Sequence, residues 1–166
     1  MADLAPDDFV AWVSGAQGPL LRSAFLVAGS EAMADDLVQE AMIKVAARWS
    51  RLRTENPTAY ARTIIHRDHV SWWRRRRETL VADDPEPSTT YDEDLVERQL
   101  LVREALDRLT SRQRAVIVLR YFDDLTERET AEILGVTVGT VKSQASAALR
   151  RLREHDGLDA LRGGEV

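Results

Sequence analysis

The sequence predicts an all-α protein of two small helical domains joined by an acidic flexible linker, the second domain containing a helix-turn-helix. Three observations carry this expectation. Apolar residues recur at three- and four-residue spacing in almost every segment, and no run alternates as a half-buried strand would. Residues 79–94, TLVADDPEPSTTYDED, hold six acids, two prolines and no base, with too few apolar groups to fold alone. Residues 125–153 read as two short helices around a tight turn, with bases and small polar groups on the outer face of the second.

The elements follow in order. Phe9, Val10 and Val13 open a first helix, which Gly18 and Pro19 are expected to interrupt. Leu20 to Ala28 then forms a second, ended by Gly29. Ser30 caps a third helix running to about Trp49, with Leu37, Val38, Ala41, Val45 and Trp49 as its buried stripe. Residues 50–55 read as a polar loop. Asn56 followed by Pro57 is a strong helix start, and that helix is expected to reach about Arg77. This sets a first domain at 1–78 and the linker at 79–94. In the second domain, 95–156, Leu95, Leu101, Ala105 and Leu109 are candidates for burial. Thr110 and Gln113 form a capping box, a hydroxyl at the N-cap with an amide three residues on. Val116, Leu119 and Tyr121 are candidates for the inner face that follows, and Asp123 and Asp124 turn the chain. The tail, 157–166, is expected to fray.

The helix-turn-helix is the most informative stretch. Thr126 and Glu129 form a second capping box. Ala131, Ile133 and Leu134 make a short apolar stripe, and Gly135 stands where a C-terminal cap needs a left-handed backbone. Thr137 caps the next helix. There Val138, Val141, Ala145, Ala148 and Leu152 share one face, while Thr140, Ser143, Gln144, Ala147, Arg150 and Arg151 fall largely opposite. From Gly139 to Arg153 there are four bases and no acid. A helix entering the major groove needs short polar side chains for base edges and cations for phosphates. The plainer alternative is an amphipathic helix with a solvated basic face.

Two further surfaces stand out. In residues 60–77, YARTIIHRDHVSWWRRRR, Trp72 and Trp73 adjoin Arg74, Arg75, Arg76 and Arg77. Guanidinium groups with neighbouring rings suit a partly unstacked nucleic acid. The alternative is a helix end whose cations complement its dipole, with the rings in the core. Asp35, Asp36, Gln39 and Glu40 form an acidic face that would repel DNA and suit a basic protein surface. A plain solvated face is the other reading.

Composition excludes several classes. There is no cysteine, so no disulfide framework and no thiolate metal site. No apolar run is long enough to span a membrane and no signal peptide opens the chain, so a cytoplasmic location is expected. The net charge of −5 argues against a simple polyanion binder. His66 and His69 lie three apart, but no carboxylate or cysteine completes a metal site amid the arginines, and a polar surface pair is expected. No phosphate loop, nucleophile motif or di-iron repeat appears, so neither an enzyme nor a cofactor is expected.

Together these pieces resemble the extracytoplasmic-function RNA polymerase sigma factors, in particular the short SigE-like actinobacterial members, over about residues 8–153. DDLVQEAMIKVAARW at 35–49 is similar to the family's polymerase-core-binding segment, and NPTAYARTIIHRDHVSWWRRRR at 56–77 to its minus-ten recognition and melting helix. Residues 109–153 are similar to its minus-thirty-five reader. The resemblance implies that Asp35, Asp36, Leu37, Val38, Gln39 and Glu40 dock on the clamp helices of the largest polymerase subunit. It implies that Arg51, Arg53 and Asn56, in a loop that receives a flipped base, act with Arg62, Arg67, Trp72, Trp73, Arg74, Arg75, Arg76 and Arg77 on minus-ten DNA. Thr137, Thr140, Lys142, Ser143, Gln144, Arg150 and Arg151 would meet minus-thirty-five DNA. An anti-sigma partner is the family's usual control. Many relatives have Asn at the position of Arg67 and Arg at that of Ala147, so no promoter sequence is assigned. The alternative function is a stand-alone helix-turn-helix regulator, which would need neither the acidic helix nor the Trp–Arg segment.

Overall fold

The computed structural model describes residues 6–78 and 101–154, with side chains through Ser71 in the first stretch. Among these residues the regular structure is helical: α1 (Asp7–Ala28), α2 (Glu31–Ala46), α3 (Trp49–Leu52), α4 (Pro57–Glu78), α5 (101–107), α6 (Ser111–Ile117) with a π-helical extension (Val118–Phe122), α7 (Glu127–Leu134) and α8 (Val138–Arg153). Leu95, the linker 79–94 and the tail 157–166 lie outside the described residues.

The helix ends follow the local chemistry. Ser30 accepts a hydrogen bond from the Met33 amide, and Asn56 accepts one from the Ala59 amide at 2.9 Å. Both capping boxes close, at Thr110–Gln113 and Thr126–Glu129. Thr137 caps α8 through the Thr140 amide at 3.1 Å. Gly135 ends α7 at φ 65°, and Gly29 ends α1 at φ 74°, conformations a β-carbon would strain.

The expected break at Gly18 and Pro19 does not occur, because α1 runs through it for 22 residues. Its buried stripe, Ala16, Leu20, Ser23, Ala24, Val27 and Ala28, continues past the exposed proline. Burial of that stripe outweighs the roughly 3 kcal/mol that an interior proline costs a helix. The expected third helix stops at Ala46 rather than Trp49, and the loop that follows contains a helical turn burying Leu52.

The first core gathers Leu20, Val38, Ala41, Val45, Trp49, Leu52 and Ile65 from α1 to α4. Trp49 is its rim, with ring centroids 5.1 Å from Phe9 and 5.6 Å from Trp12, and its indole donates to Asp8 at 2.9 Å. Two smaller clusters serve the second half: Val116, Ala131 and Val141 within the helix-turn-helix, and Leu106, Leu109, Ile117, Val118, Ala148 and Leu152 beneath it. The latter also includes Val27 of α1, so the two halves share a hydrophobic cluster.

Several apolar residues depart from their expected burial. Leu101, Tyr121 and Val138 are exposed, and Leu37, Ala105 and Ala145 are half-buried, while Leu106 takes a core place. Tyr121 sits in the π-helical extension, whose wider turn rotates it off the inner face that Val118 and Leu119 occupy. Val138 is the first residue of α8, at its open end. Replacing Trp49 by alanine is expected to cost about 3–5 kcal/mol in urea unfolding, whereas Val10→Ala on the exposed side of α1 is expected to cost under about 0.5 kcal/mol.

Candidate polymerase and nucleic-acid interfaces

The acidic face lies on α2. Asp35, Asp36, Gln39 and Glu40 are exposed, Leu37 is half-buried and Val38 is in the core, holding the helix down. Ile43, one turn beyond Gln39 and Glu40, is 59% exposed, a large apolar side chain left bare beside carboxylates. Lys44 pairs with Glu40 at 3.2 Å and Asp68 at 3.1 Å, which ties α2 to α4. The hydrogen bond that Lys44 donates to Asp68, ahead of that to Glu40, raises the lysine's pKa.

Around α3, Arg51, Arg53 and Asn56 are exposed, but each has a local partner. Arg51 lies 3.8 Å from Glu55 and Arg53 lies 3.4 Å from Asp8. The Asn56 side chain is spent as the α4 cap. The indole of Trp49, with Arg53 beside it, holds the Asp8 carboxyl below its usual pKa. The side chains of Trp72, Trp73, Arg74, Arg75, Arg76 and Arg77 lie outside the described residues, and only the helical backbone under them is given.

On α8, Lys142, Ser143, Arg150 and Arg151 are exposed. Lys142 reaches Glu127 at 3.7 Å, and the Ser143 hydroxyl donates to the Thr140 carbonyl at 3.0 Å. Thr140 and Gln144 are half-buried. They line a groove of about 190 Å³ whose other wall is α4, at His66, Arg67, Val70 and Ser71.

That groove opens onto a polar seam between the halves. From α4, the Arg67 guanidinium donates to the Ile133 carbonyl at 2.9 Å and the Glu132 carbonyl at 3.3 Å, at the C-terminus of α7. From α6, Arg114 donates to the Val27 carbonyl of α1 at 3.0 Å and to the Leu106 carbonyl at 2.9 Å. Between them the Ser23 hydroxyl donates to Asp123 at 2.8 Å, and Asp123 faces Arg62 at 3.4 Å. His66 Nε2 lies 3.3 Å from the same hydroxyl, which makes it the donor into this chain. That tautomer is assigned from the hydrogen-bond network.

His66 and His69 are therefore not a surface pair. They are 0% and 1% exposed, because the second half covers the α4 face on which they sit. Burial, with His69 and Arg62 nearby, pulls the pKa of His66 down to about 3. Burial, with Arg114 nearby, pulls that of His69 to about 4. Burial pushes Asp123 up, against the pull of Ser23 and Arg62. No group of His, Asp and Glu suited to a metal ion occurs among the described residues.

Ser23, Arg114 and Asp123 were absent from the expected site residues. The available signal was a polar residue interrupting an apolar stripe: Ser23 in the α1 face and Arg114 beside Ala115, Val116 and Ile117. Ile43 had a similar signal in reverse, an apolar residue on an acidic face.

A helix-turn-helix packed against a helical module with an acidic, uncovered face is the architecture of a transcription initiation factor. Residues 13–79 match the family model for Sigma-70 region 2, and residues 99–152 that for Sigma-70, region 4. The chain is 35% identical over 151 residues to the RNA polymerase sigma-E factor of Streptomyces coelicolor, covering 89% of this chain and 85% of that protein. It is 33% identical over 135 residues to RNA polymerase sigma factor SigV of Bacillus subtilis, covering 80% and 81%. Among solved structures it is similar to the sigma factor RpoE of Bartonella quintana, solved in complex with the anti-sigma factor NepR. That match has a TM-score of 0.68 and 27% identity, covering 90% of this chain and 96% of that one. The chain belongs to the sigma-70 family of RNA polymerase sigma factors, in its extracytoplasmic-function group. Family membership sets aside the stand-alone regulator.

The buried histidines give the protein a pH dependence with a defined sign. Both folded pKa values lie below the unfolded value of about 6.5, so the unfolded chain takes up protons first. Their contribution to stability is complete above pH 6.5 and declines as the pH falls toward 4, by up to roughly 1.4 kcal/mol per pH unit per histidine. Urea unfolding at pH 7 and pH 5 should show this loss, and the double variant His66→Gln/His69→Gln should show a shallower slope.

Proposed function

We propose a division of labour within this sigma factor in which the α2 face holds polymerase, and α4 with α3 and α8 engage the two promoter elements. Asp35, Asp36, Gln39 and Glu40, seated by Leu37 and Val38, dock on the clamp helices of the largest core subunit. Ile43 adds an apolar anchor to that charged face. The observation that supports this best is the exposure of these four polar residues in one row on a helix fixed from behind by Val38, Ala41 and Val45. Charges so arranged steer a basic partner and fix its register.

Arg51, Arg53, Asn56, Arg62, Arg67, Trp72, Trp73 and Arg74, Arg75, Arg76 and Arg77 serve the minus-ten element. The clustered guanidinium groups carry phosphate and the rings carry unstacked bases. Thr137, by capping the N-terminus of α8, sets the helix on the groove. Thr140, Lys142, Ser143 and Gln144 read base edges, with Arg150 and Arg151 on phosphate. The domains are assigned as 1–78 for region 2, 79–94 for the linker and 95–156 for region 4. An anti-sigma factor is the proposed regulator, supported by the similarity to RpoE of Bartonella quintana, whose structure holds one. No described helix is long and apolar enough to cross a membrane, which agrees with the proposed work in the cytoplasm.

Reversing two charges tests the α2 assignment. Asp36→Lys with Glu40→Lys should weaken binding to core polymerase at least roughly tenfold, about 1.4 kcal/mol. Affinity equal to that of the wild type would return these acids to a plain solvated face. Replacing Arg74, Arg75, Arg76 and Arg77 by alanine should spare core binding and abolish promoter melting, read by permanganate reactivity of the opened strand. Undiminished melting would remove the cluster from the minus-ten assignment.

A further inference from the structure

The groove between α4 and α8 has the make-up of a small-molecule site. Its walls are apolar at Val70, Val116, Leu134 and Val136. A few polar groups converge on that apolar lining, the arrangement by which ligand pockets fix what they hold. Arg67 and Arg112 are exposed at the mouth, and no carboxylate lines the space. Arg67 is committed to the Ile133 and Glu132 carbonyls. Arg112 makes no ion pair among the described residues, so it is the cation left for an incoming anion.

One buried atom in the lining lacks a partner. His66 is 0% exposed and contributes to the groove wall. Its Nε2 is taken by the Ser23 hydroxyl, while its Nδ1 makes no hydrogen bond. Burial holds the ring neutral at pH 7, so Nδ1 presents a lone pair without a donor. Such a buried acceptor is costly to leave unmade, and a ligand hydroxyl would satisfy it. Size narrows the choice further. The groove holds about 190 Å³. An apolar cavity of about 150 Å³ takes one benzene ring. The space therefore suits a single ring with a small polar group at each end.

We propose that this groove binds a small hydroxylated aromatic carboxylate, hydroxyl inward to His66 Nδ1 and carboxylate outward to Arg112. The ring packs among the two valines of α4 and α6 and the Leu134–Val136 turn. The planar guanidinium of Arg112 matches a carboxylate in two parallel hydrogen bonds, and the charge of Arg67 adds to the attraction. Plain benzoate leaves Nδ1 unpaired, and phenol leaves Arg112 unpaired, so each half of the molecule is read separately. The lining comes from α4 on one side and from α6, α8 and the turn before α8 on the other. One bound molecule thus touches both halves of the chain, and its binding free energy favours the arrangement that holds it. The site does not depend on which DNA element either half reads.

Titrating para-hydroxybenzoate, benzoate and phenol into the full-length chain at pH 7, followed by methyl NMR, tests the site. Para-hydroxybenzoate should shift the methyls of Val70, Val116, Leu134 and Val136 saturably, with a Kd of about 1 mM or tighter, while those of Val38 and Val45 in the first core stay in place. Benzoate and phenol should each bind at least about tenfold more weakly. Arg112→Ala removes an exposed side chain, so helical circular dichroism should be unchanged. It should lower the affinity for para-hydroxybenzoate to that for phenol and leave phenol binding as it was. Shifts that grow linearly to about 10 mM, or that scatter over the surface, overturn the proposal and leave the groove to water. Equal affinities for benzoate and para-hydroxybenzoate overturn the His66 contact. Undiminished binding by Arg112→Ala overturns the anion contact.

Discussion

The structure depends on how the C-terminal ends of α1 and α7 are satisfied. A helix that stops inside a protein strands its last carbonyls, and a buried unpaired carbonyl costs about 1–3 kcal/mol. Here α7 meets part of the need internally, with the Val136 amide on the Ala131 carbonyl and the Gly135 amide on Glu132. The Ile133 carbonyl is completed by Arg67 from the other half. The α1 end likewise completes its Val27 carbonyl with Arg114. Both glycines are needed twice, once for the positive φ that ends the helix and once for the space a guanidinium fills. The two halves thereby acquire their mutual orientation from a few directional bonds and one shared cluster around Val27.

That economy explains the unusual polar content of the seam. An interface meant to be permanent is apolar at its centre. This one places Ser23, His66, His69 and Arg114 among the buried residues. The His66–Ser23–Asp123–Arg62 chain runs through it, and neutral His66 donates along that chain while its Nδ1 accepts nothing. A second proton would place charge on a buried nitrogen, which is the physical origin of the depressed pKa. The same groups that specify the closed geometry limit how firmly it holds.

What the amino-acid order discloses divides along sequence distance. Ser30, Asn56, Thr110, Thr126, Gly135 and Thr137 act on neighbours within about four residues, and their caps were legible as spacing alone. The exposed acids of α2 were legible for the same reason, since one helix face is a local property. Pro19 misled because its local cost is outweighed by burial against α2 and α4, which spacing does not reveal. His66 and His69 misled because their cover arrives from residues more than 40 positions away, beyond the linker. Arg62 and Arg67 showed their charge in the sequence but not their partners, 61 and 66 positions distant. Periodicity reports which face of a helix is buried only where one partner dominates, and α4 has partners on two sides.

Charge placement on the surface bears on how the chain meets DNA. The chain carries net charge −5, so taken as a whole it repels a phosphate backbone, an effect that salt screens beyond a Debye length of about 8 Å. Closer in, the sign depends on the face: α8 offers Arg150 and Arg151, whereas α2 offers Asp35, Asp36 and Glu40. A basic surface on polymerase would neutralise the α2 face on docking and remove much of the negative field felt by the rest of the chain. If the α2 face seats polymerase as proposed, that contact would also change the charge of the body that carries the helix-turn-helix. A sigma factor with a uniformly basic surface would gain affinity for DNA everywhere and lose the dependence on its polymerase, because counterion release does not discriminate sequence. On the proposed assignment, the acidic α2 helix would be as much a part of promoter specificity as the helix proposed to read the bases.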